Sequence, residues 1–302
     1  MHTSRITGGN ATLAALSALA AAASLLTPSF AVAHAIAGDY VFPATMGIDD
    51  PGVGDEADFL YGHQRVPGDN GDQSINTFNV EWDKLITSRL ALSIGGSYAM
   101  QNNATARGFD NFSVGLKYLL YVNEPHEFMV SIGADADLGG TGSSAIADNF
   151  STLSPNVFFG KGFGDLPDSL QYLRPLGVTG EIGPSLTTGA GQPNAFNYGF
   201  TVQYSIAYLQ QHVHDFGLPE PIANLVPIVE VPLSRSQGQT TGTVNPGFIW
   251  LTRYGQLGIE AQIPINRASG SHVGVLLDAH IFFDDVAPNS IGKPLFTSAD
   301  KE

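Results

Sequence analysis

From residue 57 onward the apolar residues of this chain recur at every second position. In 126–138, Phe128, Val130, Ile132, Ala134, Ala136 and Leu138 alternate with Ser131, Gly133, Asp135 and Asp137. The same pattern runs through 107–122, 196–208 and 272–283, where Val273, Val275, Leu277, Ala279 and Ile281 alternate with Gly274, Asp278 and His280. Successive side chains on a strand point to opposite faces, so each segment is a strand with one apolar and one polar side. The 35 glycines and 18 prolines argue against helical bundles, because both residue types are costly inside a helix.

Twelve such segments are expected, at about 57–65, 74–84, 88–101, 109–122, 126–138, 151–163, 172–186, 196–210, 225–236, 242–254, 256–265 and 272–283. Polar, Gly-rich connections such as Gly139-Gly140-Thr141-Gly142 alternate with tight ones such as Arg253-Tyr254-Gly255, apart from the long, Pro-rich stretch 211–224. Two architectures use alternating strands. A soluble sandwich buries its apolar face, whereas a transmembrane barrel turns that face to lipid. Three features favour the barrel. Segments of about 10–14 residues exceed the ~5–6 usual in soluble strands, the strand count is even, and the polar face carries Gly, Ser and Thr while the apolar face carries the aromatics. Trp82, Tyr98, Tyr198, Tyr208 and Trp250 fall near expected strand ends, where an aromatic girdle sits. The fold class expected is therefore all-β: an antiparallel transmembrane β-barrel of about 12 strands in up-and-down topology. In lipid such a sheet must close, since an open edge leaves backbone groups unpaired.

The first residues read as an address. Arg5 precedes an apolar run from Leu13 to Leu26 of about 14 residues, short of the ~20 that span a bilayer as a helix. Pro28 ends it, and Ala31, Ala33 and Ala35 supply the small residues of a cleavage site after Ala33 or Ala35. The domains expected are a signal peptide over 1–35, an N-terminal periplasmic arm or plug over 36–56, the barrel over 57–283 and a periplasmic tail over 284–302. A leader followed by a barrel places the protein in the outer membrane of a didermal bacterium.

The chain has 13 Lys+Arg against 28 Asp+Glu, a formal net charge of −15. That sign excludes a nucleic-acid binder, whose phosphate contacts need clustered cations. The absence of cysteine excludes disulfides and thiolate metal centres.

If the apolar faces meet lipid, the lumen receives Glu81, Lys117, Asp135, Asp137, Glu181, Glu230, Arg253, Glu260, Asp278 and His280. Seven carboxylates against two fixed cations favour passage of cations. Each such residue equally suits a hydrogen-bonded filling that holds the barrel shut. The simplest register sets Glu260 across from Asp278, or one repeat away, so a proton, a cation or Arg253 is expected beside the pair. His212 and His214, alternate residues of Gln211-His212-Val213-His214-Asp215, share a face if that segment is extended, and so form a candidate metal site. There is no G-x-S-x-G, Gly160-Lys161-Gly162 lacks the spacing of a phosphate loop, and His63, the strand histidine placed to face outward, has no serine motif with it. No catalytic residue, cofactor or chemical turnover is expected.

The strand region resembles the bacterial outer-membrane barrels of the phenol-degradation (MetA-pathway-like) type and, more distantly, FadL-like hydrophobic-compound transporters. The resemblance rests on strand number, Gly-rich alternation and the unit Phe78-Asn79-Val80-Glu81-Trp82-Asp83-Lys84-Leu85-Ile86-Thr87. It implies passive uptake of small solutes, hydrophobic or aromatic ones among them, by a monomer embedded in outer-membrane lipid and inserted by the barrel-assembly machinery. Ile281-Phe282-Phe283 is the best match to a terminal assembly signal, yet further residues follow it. A plugged structural or adhesive barrel, a lipid-processing barrel enzyme and a secreted soluble sandwich are the competing readings.

Overall fold

The computed structural model describes residues 35–68, 71–101 and 106–296. Positions 1–34, which hold nearly all of the expected leader, lie outside the described residues. A two-stranded hairpin comes first, β1 (Ala35–Ala37) and β2 (Tyr40–Phe42). Twelve long strands then form one antiparallel sheet: β3 (Glu56–Val66), β4 (Gln73–Thr87), β5 (Leu90–Gln101), β7 (Ser113–Asn123), β8 (Phe128–Asp137), β9 (Thr152–Gly162), β10 (Leu176–Thr187), β11 (Ala195–Tyr204), β12 (Leu225–Ser236), β13 (Gln239–Thr252), β14 (Gly255–Pro264) and β15 (Gly274–Phe282). The short β6 (Arg107–Phe109) adds a second segment against β5. Each long strand pairs with its sequence neighbours, and β15 returns to pair with β3 from Val275↔His63 to Phe282↔Glu56. The barrel is thus closed, up-and-down and twelve-stranded, as the alternation predicts.

The burial pattern is inverted relative to a soluble fold. Phe59, Val80, Leu116, Ile132, Phe200, Ile259 and Leu277 are exposed around the wall. Ser131, Thr179, Thr201, Gln203, Glu230, Asn245 and Glu260 are buried inside it. A wall that shows its apolar side chains outward and pairs every strand edge is a membrane-spanning barrel.

Three sequence expectations fail locally. The segment 196–210 is not one strand: β11 stops at Tyr204, and Ser205 caps a helical turn by accepting a hydrogen bond from the Tyr208 N–H. Tyr208 is accordingly buried against Tyr40 and Phe42 and takes no part in an aromatic girdle. β13 ends at Thr252, so Arg253 leaves the alternation. β15 ends at Phe282, and Phe283 opens a short helical turn, Phe283–Val286.

The tail is docked. The Lys84 ammonium bonds Asp55 at 2.5 Å and the carbonyls of Ile291 and Lys293 at 2.7 and 2.8 Å. The N–H groups of Leu295 and Phe296 donate to the carbonyls of Leu85 and Ile86. Asp284 accepts from the Asp55 N–H at 3.2 Å, and burial pushes its carboxyl up from the ordinary 3.8 to about 7. The folded chain therefore takes up a proton here between those values. The stabilisation is full below pH 3.8 and is lost as pH rises to about 7.

Two outcomes follow. Leu277→Arg, placed in the lipid-facing belt, lowers the urea unfolding free energy in vesicles by about 2–4 kcal/mol if its site lies near the bilayer midplane, whereas a soluble sandwich surface tolerates it. The wild-type urea midpoint falls between pH 4 and 7 more steeply than that of Asp284→Asn, which keeps an acceptor for Asp55 and removes the titration; equal slopes for the two proteins remove Asp284 as the source.

Candidate functional site: a plugged acidic lumen

The segment from Ala35 to Asp55, the inner segment or plug, packs against the inner side of the wall. Tyr40, Phe42 and Ile48 are 0–2% exposed. Burial of side chains this size stabilises by about 1.5–3 kcal/mol each. Inward-facing glycines make the room. A Cβ on Gly177 would lie 2.5 Å from Tyr40, one on Gly199 2.7 Å from Ile48, and one on Gly258 2.6 Å from Met46. Apolar residues that also face inward complete the packing: Met129 joins Tyr40 and Phe42, while Val226, Ile228 and Ile249 close around Met46. The lumen is therefore not uniformly polar, and its apolar part is a small core shared with the plug.

Polar anchors fix the plug apex. Glu230 accepts the N–H groups of Met46 at 2.8 Å and Gly47 at 2.6 Å. Gln256 donates to the Ala44 carbonyl at 2.7 Å, and Ser131 donates to that of Pro51. Lys117 reaches Asp49 at 2.6 Å and the Asp50 carbonyl at 3.2 Å. Charge-assisted bonds of this kind are stronger than neutral ones.

Two polar cavities flank these contacts. One, of about 440 Å³, is lined on its acidic side by Asp58, Glu81, Asp110, Asp137 and Asp148, with no Lys or Arg lining it among the described residues. The other, of about 290 Å³, lies against the plug residues Ala44–Asp50 and is bordered by Glu56, Asp83, Lys117, Glu181, Asp278 and His280. Asp58 and Glu81 line both. Asp135 and Asp83 border a smaller space with Lys117.

The structure thus brings nine of the ten expected lumen residues to the interior: Glu81, Lys117, Asp135, Asp137, Glu181, Glu230, Glu260, Asp278 and His280. The exception is Arg253. It sits on the β13–β14 turn, 56% exposed in its side chain, and pairs with Asp285 at 2.8 Å. The expected register resolves to one repeat of offset: Gly258 stands opposite Asp278, and Glu260 opposite Leu276. Glu260 keeps company with Glu230 and Asn245 instead, and Gln256 satisfies one oxygen of Asp278 at 2.9 Å.

The expected metal pair is overturned. His212 lies in a π turn, Leu209–Val213, and its ring packs on Tyr208 at 4.7 Å with Asp39 at 3.6 Å. His214 follows in extended backbone and packs on Phe216 at 4.6 Å. The shared face required an extended segment, and the helical turn removes it. His63 faces outward as expected, with its Nδ1 2.9 Å from Asn76.

Sequence reasoning missed Glu56, Asp58, Asp83 and Lys84. Asp58 and Asp83 alternate in step with Phe59 and Trp82, so the period of two alone would have found them.

No family model and no curated protein matches the chain. Similar solved structures include the COG4313 outer membrane channel from Pseudomonas putida F1 (TM-score 0.48, 11% identity, 80% of this chain and 100% of that chain). They also include the KdgM porin (0.47, 11%, 76% and 99%) and outer membrane phospholipase A from Escherichia coli (0.38, 9%, 82% and 95%). At these values the likeness is one of architecture.

The anchors generate a measurable expectation. The chain lacks cysteine, so Ala44→Cys is a unique reporter of plug exposure. Glu230→Gln in that background loses charged hydrogen bonds worth about 1.5–3 kcal/mol in all, which speeds maleimide labelling of the reporter by roughly tenfold or more. An unchanged labelling rate means that the plug does not depend on Glu230.

Proposed function

We propose that this protein is an outer-membrane pore for passive passage of small solutes, selective for cations, with the segment 35–55 as a lumenal plug that sets its opening. The observation that carries the reading is the lining of the larger cavity, where five carboxylates meet no Lys or Arg. A low-dielectric wall amplifies the field of such a lining, attracting cations and repelling anions. Lys117 does not offset this, because its ammonium is held by Asp49 on the plug.

The lining does not suit the apolar or aromatic solutes that the resemblance implies. Leu60, Val80 and Phe150 border the larger cavity among many more polar groups, so small polar cations fit the chemistry better. Chemical turnover forms no part of the proposal.

Planar-bilayer recording tests it. In a potassium chloride gradient the reversal potential lies on the potassium side, and it moves toward zero in the double variant Glu81→Gln, Asp137→Asn. Lys117→Met frees Asp49 and raises conductance. Anion selectivity, or silence of both the wild type and a variant lacking residues 36–54, defeats the reading.

A further inference from the structure

The closing strand pair builds a second site, which shares only Asp58 with the cavity that carries the pore reading. In the β15–β3 register His280 stands directly opposite Asp58, and Asp278 lies one inward repeat away. A directly opposed pair shares one face, so all three side chains meet on the lumen side of the closure seam. Their donor atoms lie within 4.8 Å of one another.

The imidazole lies between two carboxylates. Its Nε2 is 3.0 Å from a Glu56 oxygen, while its Nδ1 faces the Asp58 Oδ1 at 3.9 Å. The latter distance is too long for a hydrogen bond. It does suit two ligands of one ion, since donors each ~2.0–2.2 Å from a metal stand about 3–4 Å apart. A carboxylate beside one ring nitrogen while the other nitrogen faces the ion is the usual support of a metal-binding histidine, and Glu56 stands there at ion-pair distance.

A separate observation points to the missing occupant. Asp278 is 7% exposed; its Oδ2 accepts from Gln256, and its Oδ1 has no hydrogen-bond partner. The Asp58 Oδ1 likewise meets no donor among the described residues. Buried polar oxygens are normally satisfied, so two of them beside one imidazole nitrogen mark a place for a cation.

We propose that Asp58, Asp278 and His280 bind one divalent first-row metal ion, with Glu56 orienting the imidazole. One nitrogen and two carboxylates suit Zn²⁺ or Mn²⁺ better than Ca²⁺ or Mg²⁺, which take all-oxygen shells. The site borders the cavity beneath the plug, and it stands whether or not the pore conducts.

Calorimetric titration of the detergent-refolded chain with Zn²⁺, Mn²⁺ and Mg²⁺ tests it. Zn²⁺ binds more tightly than Mn²⁺, and both bind far more tightly than Mg²⁺. His280→Gln and Asp278→Asn each weaken the site at least tenfold, Glu56→Gln weakens it 10–100-fold, and Asp148→Asn, in the neighbouring cavity, leaves it unchanged. Equal affinity for Mg²⁺ and Zn²⁺, or undiminished Zn²⁺ binding in His280→Gln, overturns the proposal. Should a variant not refold, anomalous scattering at the zinc edge from wild-type crystals decides. Density between the Asp58 and Asp278 oxygens supports the site, and zinc found only elsewhere refutes it.

Discussion

Closure of the sheet is the constraint on which the rest of the structure depends. In hydrocarbon an unpaired N–H or C=O costs several kcal/mol, so an open edge on β3 or β15 is not tolerated. The eight register pairs from Val275↔His63 to Phe282↔Glu56 remove that edge. Because the period along a strand is two, closing the seam in this register also decides which side chains face in. Val275, Leu277 and Ile281 go to lipid, and Asp278 and His280 go to the lumen beside Asp58. A slip of one residue would exchange the two sets, placing carboxylates in lipid.

An acidic interior creates its own difficulty. Carboxylates removed from water need donors or cations, and the wall offers few. Contacts between the wall and the segments before and after it supply some of them. Plug amides at Met46 and Gly47 satisfy Glu230. Lys117 balances the plug acid Asp49, and Lys84 ties Asp55 to the C-terminal tail. The segments 35–55 and 284–296 thus both pack onto the one barrel.

Most of the wall was legible in the sequence, since an outward apolar set and an inward polar set leave an unambiguous period. The twelve segments fall close to the strands observed, and 225–236 coincides with β12. Failures cluster where alternation stops being the deciding force. Strict alternation carried Arg253 inward, yet a turn residue obeys turn geometry. It likewise aligned His212 with His214, which a single π turn separates. Tyr208 was read as a girdle aromatic because nothing local signals the Ser205 cap strongly enough to end a strand. The lumen residues were found because each is a charge amid apolar neighbours. What each one touches was not, because the plug meets residues more than a hundred positions away.

The plug nevertheless left a trace. Gly177, Gly199 and Gly258 share the inward face with the carboxylates, and in the sequence they count merely as small, polar-side residues. A lumen holding only water gains nothing from glycine, which weakens a strand relative to residues with a side chain. Glycine is useful there only where something must come close, and at these positions Tyr40, Ile48 and Met46 do. The same contacts couple plug and wall energetically. Displacing the plug would strip Glu230 of its Met46 and Gly47 donors and open it, beside Glu260, to the lumen. Water or a cation entering the lumen would then take over the acceptors that the Met46 and Gly47 amides now satisfy.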